Sequence, residues 1–285
     1  MASASGTAIY VSFRTPTLDL SWLPAGTDVI VVHNDDSLGR GSYAHLGVRH
    51  LESGGNIGFG AAINLALPSV STERVALVNP DTRLGPGHWS ALMDAKPSEI
   101  VAVPLIDGDR RPTSMVSAYP TPASLVLTAY RVGRWLPRGG RGRRVLAPAL
   151  GRWGRAHNES LDAVAVAGGS WPASQRWASG ALVSFDLERL REVGGFDARY
   201  FIYLEDTDLC GRLAARFRDL RVRLADCAAG VHEVGGSASS GPAYRQAQLR
   251  YTQSAITYAS SQPGAGWRPA RVLLAARARW LSRAR

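Results

Sequence analysis

Lysine is nearly absent from this chain: Lys96 is the only one, against 32 arginines. Replacement on that scale, beside abundant alanine and glycine, reflects a GC-rich coding sequence and says little about partners. It has one chemical consequence. No GxxxxGK[ST] occurs and Lys96 lies in no glycine loop, which excludes P-loop phosphate chemistry. Cysteine is scarce too. Cys210 and Cys227 are too few for a disulfide framework and fit a reducing compartment. Neither CxxC spacing nor a paired histidine points to zinc. No run of eighteen apolar residues is present, which excludes a spanning helix. The N-terminal MASASGTAIYV lacks the basic and apolar regions of a secretory signal. The expectation is a cytoplasmic protein within reach of the inner face of a membrane.

What is present suits a globular fold. The 285 residues, 45% hydrophobic and 20% charged, suffice for one α/β domain with an appendage or for two small domains. The formal charge of +10 is unevenly spread, with arginines crowding 131–155 and 268–285. Such a surface meets nucleic acid, anionic lipid or phosphorylated small molecules. No helix-turn-helix, aromatic stacking motif or RNA-binding signature supports nucleic acid.

Short apolar runs alternate with helical patterns over the first hundred residues. Strands are expected at Ala8–Phe13, Asp28–Val32, Val48–Leu51, Val75–Val78 and Ile100–Leu105. Helices are expected at Leu18–Leu23, Ala61–Leu67 and Trp89–Asp94. This alternation predicts a doubly wound, mostly parallel sheet flanked by helices. Residues 107–170, rich in Arg, Pro and Gly, lose the regularity and read as an irregular basic insertion, with one helix over Tyr119–Arg134. Strand character returns at Trp177–Phe185. A helix with Asp186 as N-cap and Gly194 as stop follows. Beyond it come a helix at Leu209–Phe217, a strand at Arg221–Leu224, and helices at Ala243–Ala259 and Arg268–Arg285.

Polar groups gather at the ends of these strands, where open α/β sheets bind ligands. The first loop is His33-Asn34-Asp35-Asp36-Ser37. In Asn56–Asn64, Gly58-Phe59-Gly60 supplies a G-x-G, but Ile63 stands where a dinucleotide fingerprint needs glycine. Asn79-Pro80-Asp81 puts a carboxylate directly after a buried strand, suited to a hard divalent cation and equally to a plain turn. His232 lies in a Gly/Ser loop and gains meaning only if that loop folds toward Asp81. The most informative stretch is Gly194–Arg212, GGFDARYFIYLEDTDLCGR. Two glycines and an aromatic run lead to Glu205, Asp206 and Asp208, with Asp208 and Arg212 at i, i+4 spacing. An acidic first turn on a surface helix is the bland reading. Tyr200, Phe201 and Tyr203 argue against it, because a solvated cluster needs no aromatic company.

Together, NxGFGxAxN at 56–64, NPD at 79–81 and GGFDxxYFxYxEDxDLxxR at 194–212 resemble the family 2 glycosyltransferases of GT-A fold. The likeness is greatest to bacterial rhamnosyltransferases that use dTDP-rhamnose, including those acting on polyprenyl-diphosphate-linked N-acetylglucosamine. It covers residues 8–260. The resemblance implies a GT-A domain over 1–260, carrying the 107–170 insertion, and a basic amphipathic extension over 261–285. It implies an inverting transfer of a sugar, L-rhamnose, to an acceptor hydroxyl on a glycan or lipid-linked saccharide. Asp206 would be the base, with Glu205 and Asp208 in support, or Asp208 serving the helix through Arg212 instead. Asp81 and His232 would hold Mg2+ or Mn2+. Asn34, Asp35, Asp36, Asn56, Gly58, Phe59, Asn64, Asn79, Trp177 and Gly180 would line the nucleotide-sugar site. Two departures touch the nucleotide's identity: the loop after the second strand reads HNDDS where the family has D-N-x-S, and Phe13-Arg14-Thr15 replaces a Tyr-Asn ending. The rivals are a transferase for a soluble secondary metabolite using another nucleotide-sugar, and a basic binding protein on a degenerate transferase fold. The 261–285 extension reads either as a lipid-facing helix or as a solvated basic tail.

Overall fold

The structure is a computed structural model that describes residues 6–15, 17–35, 47–131, 168–233 and 241–283. In chain order the strands are β1 (Gly6–Ser12), β2 (Asp28–His33), β3 (Arg49–Glu52), β4 (Arg74–Val78), β5 (Thr82–Arg83), β6 (Glu99–Ala102), β7 (Leu105–Ile106), β8 (Pro112–Thr113), β9 (Val116–Ala118), β10 (Gly169–Pro172), β11 (Arg176–Ala178), β12 (Leu182–Asp186), β13 (Arg221–Leu224) and β14 (Gly230–His232). The helices are α1 (Phe59–Ala66), α2 (Gly87–Met93), α3 (Pro122–Ala129), α4 (Leu187–Glu192), α5 (Glu205–Arg216), α6 (Gly241–Ser261) and α7 (Trp267–Arg283). The chain divides into two units: 1–116 with 164–201 and 205–235, and 117–163 with 202–204 and 236–285.

The first unit is built on an eight-stranded sheet in the order β10-β13-β6-β12-β4-β1-β2-β3. Six strands share one direction, while β12, between β4 and β6, and the edge strand β10 oppose them. Every residue of β1 and β4 is buried, as continuous apolar runs covered on both faces must be. Arg74 is the exception in chemistry. Its guanidinium is buried and donates to the Leu92, Lys96 and Glu99 carbonyls and to Ser184 Oγ, tying β4 to β12 and α2. Because β12 runs backwards, its first residues stand at the carboxyl end of β4: the Asn79 N–H donates to the Ala181 carbonyl at 2.9 Å. A smaller sheet, β5-β14-β7-β8, continues from the ends of β4 and β6.

The described part of the second unit is mainly helical. A reciprocal Thr121–Ser124 capping box starts α3, with Pro122 in the first turn. The sequence QPGAG joins α6 to α7, and Trp267 packs edge-on against Tyr258 at 5.9 Å. The Tyr130 hydroxyl donates to the Leu273 carbonyl, fixing the end of α3 to α7.

Several expected elements are altered. Leu18–Leu23 is not a helix; the Asp19 carboxylate takes the Ser21 N–H and hydroxyl, and that local turn outcompetes a helical start before Pro24. The Ile100–Leu105 strand stops at Ala102, since Pro104 offers no donor, and Leu105 begins β7 in the other sheet. β6 also does not neighbour β4, because β12 separates them. Trp177–Phe185 is two strands broken at Ser179–Ala181, and the helix expected from Leu209 begins at Glu205. The helix expected over Tyr119–Arg134 spans Pro122–Ala129, and residues 132–134 lie outside the described residues.

Candidate active site

Asn34 follows β2 and organises the glycine loop. Buried to 3% exposure, its Oδ1 accepts from the Ile57 N–H and Ser53 Oγ, and its Nδ2 donates to Asn56 Oδ1 and the Gly58 carbonyl. Asn56 Oδ1 in turn accepts the Gly58 N–H at 3.1 Å. Gly58 sits at φ 94°, and a Cβ there would lie 2.3 Å from the Phe201 carbonyl oxygen, so only glycine fits. That carbonyl receives the Phe59 N–H at 3.0 Å, where α1 begins.

The glycine loop is thereby docked on the aromatic stretch before α5. Asn64 completes the contact: Nδ2 donates to the Phe196 carbonyl at 2.7 Å, and Oδ1 accepts the Phe196 N–H at 2.8 Å. Phe59 packs edge-on to Phe196, and Gly60 leaves room for that ring. The two sequence motifs are thus the two halves of one packed junction. Asn34 and Asn64, read from sequence as lining the nucleotide-sugar site, have their amides engaged with protein. Asp35 accepts the Arg14 N–H, Trp177 is half-buried on β11, and Asp36 lies outside the described residues.

The three acids of α5 part company. Asp208, 7% exposed, accepts from Arg212 Nε at 2.7 Å and from the Tyr200 hydroxyl at 3.4 Å. Arg212 also donates to the Val193 and Gly195 carbonyls, so this pair pins the double-glycine turn to the helix. Asp206 faces the Ser179–Ala181 turn. Its Oδ2 accepts the Gly180 N–H at 3.0 Å, and Oδ1 accepts the Thr207 N–H at 2.7 Å and the Thr207 hydroxyl. Glu205 is buried, and its Oε2 has no hydrogen-bond partner among the described residues. Burial raises both carboxyls above the usual range, Glu205 to about 8 with the Asp206 charge adding to the shift. Three donors support the anion on Asp206, whereas Glu205 Oε2 has none, so the proton of the pair resides on Glu205.

On the other side of the same turn stands the second cluster. Asn79, tied to Ala181 through its N–H, places Nδ2 3.3 Å from His232 Nε2. Asp81 Oδ1 is 3.0 Å from that nitrogen. The antiparallel pairing of β14 with β5, His232 opposite Thr82, brings the histidine loop to Asp81. A divalent ion suits this pair in its donor chemistry: one hard oxygen and one imidazole nitrogen stand 3.0 Å apart, and His232 Nδ1 is buried with no hydrogen-bond partner among the described residues. No group of three or more His, Cys, Asp or Glu placed to hold a metal ion is present among the described residues, so a bound ion would draw further oxygens from substrate and water.

Gly180 joins the parts. Its N–H holds Asp206, its neighbour Ala181 holds Asn79, and a Cβ on it would lie 3.2 Å from the Phe59 ring. One feature carried no sequence signal: Tyr203 and Leu204, both non-glycine, take φ values of 72° and 65° immediately before Glu205. Each costs about 1–3 kcal/mol, a strain typical of functional sites.

No family model matches the chain. Among solved structures it is similar to a mannosyltransferase from Pyrobaculum calidifontis in complex with GDP-mannose and Mn2+, at 18% identity and a TM-score of 0.53, over 98% of this chain and 70% of that one. It is also similar to glucosyl-3-phosphoglycerate synthase from Mycobacterium tuberculosis, solved with Mn2+, UDP and product, at 14% identity and a TM-score of 0.54, over 93% of this chain and 82% of that one. The chain has the GT-A fold. In sequence it is 33% identical over 186 residues to N-acetylglucosaminyl-diphospho-decaprenol L-rhamnosyltransferase in two strains of Mycobacterium tuberculosis. The match takes in 58% of this chain, which spans about half (53%) the length of those curated relatives. The reversed β12 starts from the Ser179–Ala181 turn, which bonds Asp206 through the Gly180 N–H and Asn79 through the Ala181 carbonyl.

Proposed function

We propose that this chain is a metal-assisted inverting glycosyltransferase that moves L-rhamnose from dTDP-L-rhamnose to a hydroxyl of a polyprenyl-diphosphate-linked N-acetylglucosamine at the cytoplasmic face of a membrane. The observation that carries the reaction type is the Ser179–Ala181 turn, which bonds Asp206 on one side and Asn79, beside Asp81 and His232, on the other. The 33% identical relatives support the choice of sugar and acceptor. Asp206 accepts the proton of the acceptor hydroxyl as that oxygen bonds to the anomeric carbon. The bond from that carbon to the diphosphate oxygen breaks, its electron pair leaves with the nucleotide, and configuration inverts. Burial makes Asp206 a stronger base than an exposed aspartate, and its three donors keep it ionised before the step. Asp81 and His232 would hold the divalent ion, Mg2+ or Mn2+, which when bound would neutralise charge on the departing diphosphate.

The test is a panel of nucleotide-sugars, with and without Mg2+ or Mn2+, assayed for binding and for transfer to a synthetic polyprenyl-diphosphate N-acetylglucosamine. Asp206→Asn is expected to keep dTDP-rhamnose binding and to lose transfer by about 10²–10⁴-fold. Full transfer by that variant removes Asp206 from the role of base. Failure of every nucleotide-sugar to bind in the presence of metal rejects the transferase reading.

A further inference from the structure

Helix α7 presents two faces of different character. On one, Ala270, Leu274 and Leu281 are buried. Two arginines belong to that side. Arg271 donates to the Ala259 and Gln262 carbonyls, and Arg277 donates to Gln248 while its guanidinium lies 5.3 Å from the Tyr130 ring and 4.6 Å from Trp280. These cations hold the helical unit together.

The opposite face carries Arg268, Val272, Leu273, Arg279, Trp280 and Arg283, which the 3.6-residue period gathers into an arc of about 140°. Val272, Leu273 and Trp280, at 69%, 46% and 59% exposure, are the three most exposed large apolar side chains among the described residues. Arg279, Trp280 and Arg283 line an open cavity of about 490 Å³. The described residues of the second unit hold eight arginines and no aspartate or glutamate. Arg268, Arg279 and Arg283 form no ion pair among the described residues.

A solvated helix has no reason to expose valine, leucine and tryptophan on one stripe, and a nucleic-acid surface has no use for the aliphatic pair. Apolar side chains beside unpaired arginines, with an interfacial tryptophan, match the chemistry of a bilayer surface rich in phosphate. We propose that the outer face of α7 is a docking surface for an anionic phospholipid bilayer. Val272, Leu273 and Trp280 enter the boundary between headgroups and acyl chains, and Arg268, Arg279 and Arg283 engage lipid phosphates. The inference stands apart from the reaction proposed above, since vesicle binding is measured without donor or acceptor.

The experiment is co-sedimentation of the full chain with vesicles of phosphatidylcholine alone or with 30 mol% phosphatidylglycerol (about physiological ionic strength). Binding is expected to the anionic vesicles and to fall as salt is raised. Each arginine removed is expected to lower affinity about fivefold, so Arg279→Gln with Arg283→Gln lowers it about twenty-five-fold. A Val272→Ser, Leu273→Ser, Trp280→Ser variant is expected to lose binding while its far-ultraviolet circular dichroism stays that of the parent. Equal binding to neutral vesicles, or unchanged affinity in both variants, overturns the proposal. So does self-association by light scattering that the same variants abolish in a chain that binds no vesicles, which assigns the face to a second copy.

Discussion

Replacing Glu205 with glutamine tests the division of labour in the carboxyl pair directly. Glu205 is 6% exposed, one of its oxygens has no partner, and burial beside the Asp206 charge raises it to about 8 from an ordinary 4.5. The sign follows from proton linkage. Between those two pH values the folded state holds a proton that the unfolded chain has released, so stability falls as pH rises through the window. The slope approaches about 1 kcal/mol per pH unit at its steepest and is softened where Asp206 shares the proton. Glutamine keeps the shape and cannot ionise, which removes the slope. In a chain of this size 1 kcal/mol corresponds to about 2–4 °C in Tm. The parent is therefore expected to lose about 2–4 °C per pH unit relative to Glu205→Gln between pH 5 and 8, read from thermal melts of both proteins in matched buffers. Asp206→Asn, which removes the neighbouring charge, is expected to shift the window to lower pH. Parallel Tm curves for parent and Glu205→Gln across pH 5–9 refute the reasoning, because Glu205 would then be ionised throughout.

Three further outcomes are expected. Gly58→Ala forces a side chain into positive φ and against the Phe201 carbonyl at 2.3 Å, and should destabilise by at least ~2 kcal/mol in urea unfolding; a neutral effect contradicts the docking of the glycine loop. Asn64→Ala strips both hydrogen bonds from the Phe196 backbone, for a loss of about 2–4 kcal/mol, measured the same way, where a loss under ~1 kcal/mol would show that water replaces the amide. His232→Ala should weaken Mn2+ binding in the presence of dTDP at least tenfold by electron paramagnetic resonance, as should Asp81→Ala. Unchanged Mn2+ affinity in both variants removes the metal assignment.

Much of the framework was legible because its causes are local. The buried runs at β2 and β4 need no distant partner to be read as strands. The Asp186 cap is written in adjacent residues, and its side chain does accept the Arg189 N–H. The Asp208–Arg212 pair, one helical turn apart, was equally open to inspection. Features set by remote partners were not. The amides of Asn34 and Asn64 meet groups 19–24 and 132 positions away, and nothing in the neighbouring letters separates a ligand-facing asparagine from one that clamps backbone. The break at Ser179–Ala181 falls on a Ser-Gly dipeptide, a local turn signal inside an otherwise apolar run; only the insertion of β12 beside β4 makes the turn a junction. The positive φ at Tyr203 and Leu204 contradicts local preference outright, so tertiary contacts alone can impose it.

The central position of β12 has a consequence during synthesis. β4 is complete at Val78, but its partner on one side begins at Leu182, about a hundred residues later. At roughly 5–20 residues per second, the nascent chain carries an open apolar strand edge for about 5–20 s. The glycine loop waits longer still, since the Phe196 and Phe201 backbone groups that hold it emerge only after β12. The half-sheet of β1 to β4 is therefore exposed to mispairing throughout that interval, and the candidate site assembles only once His232 has been synthesised.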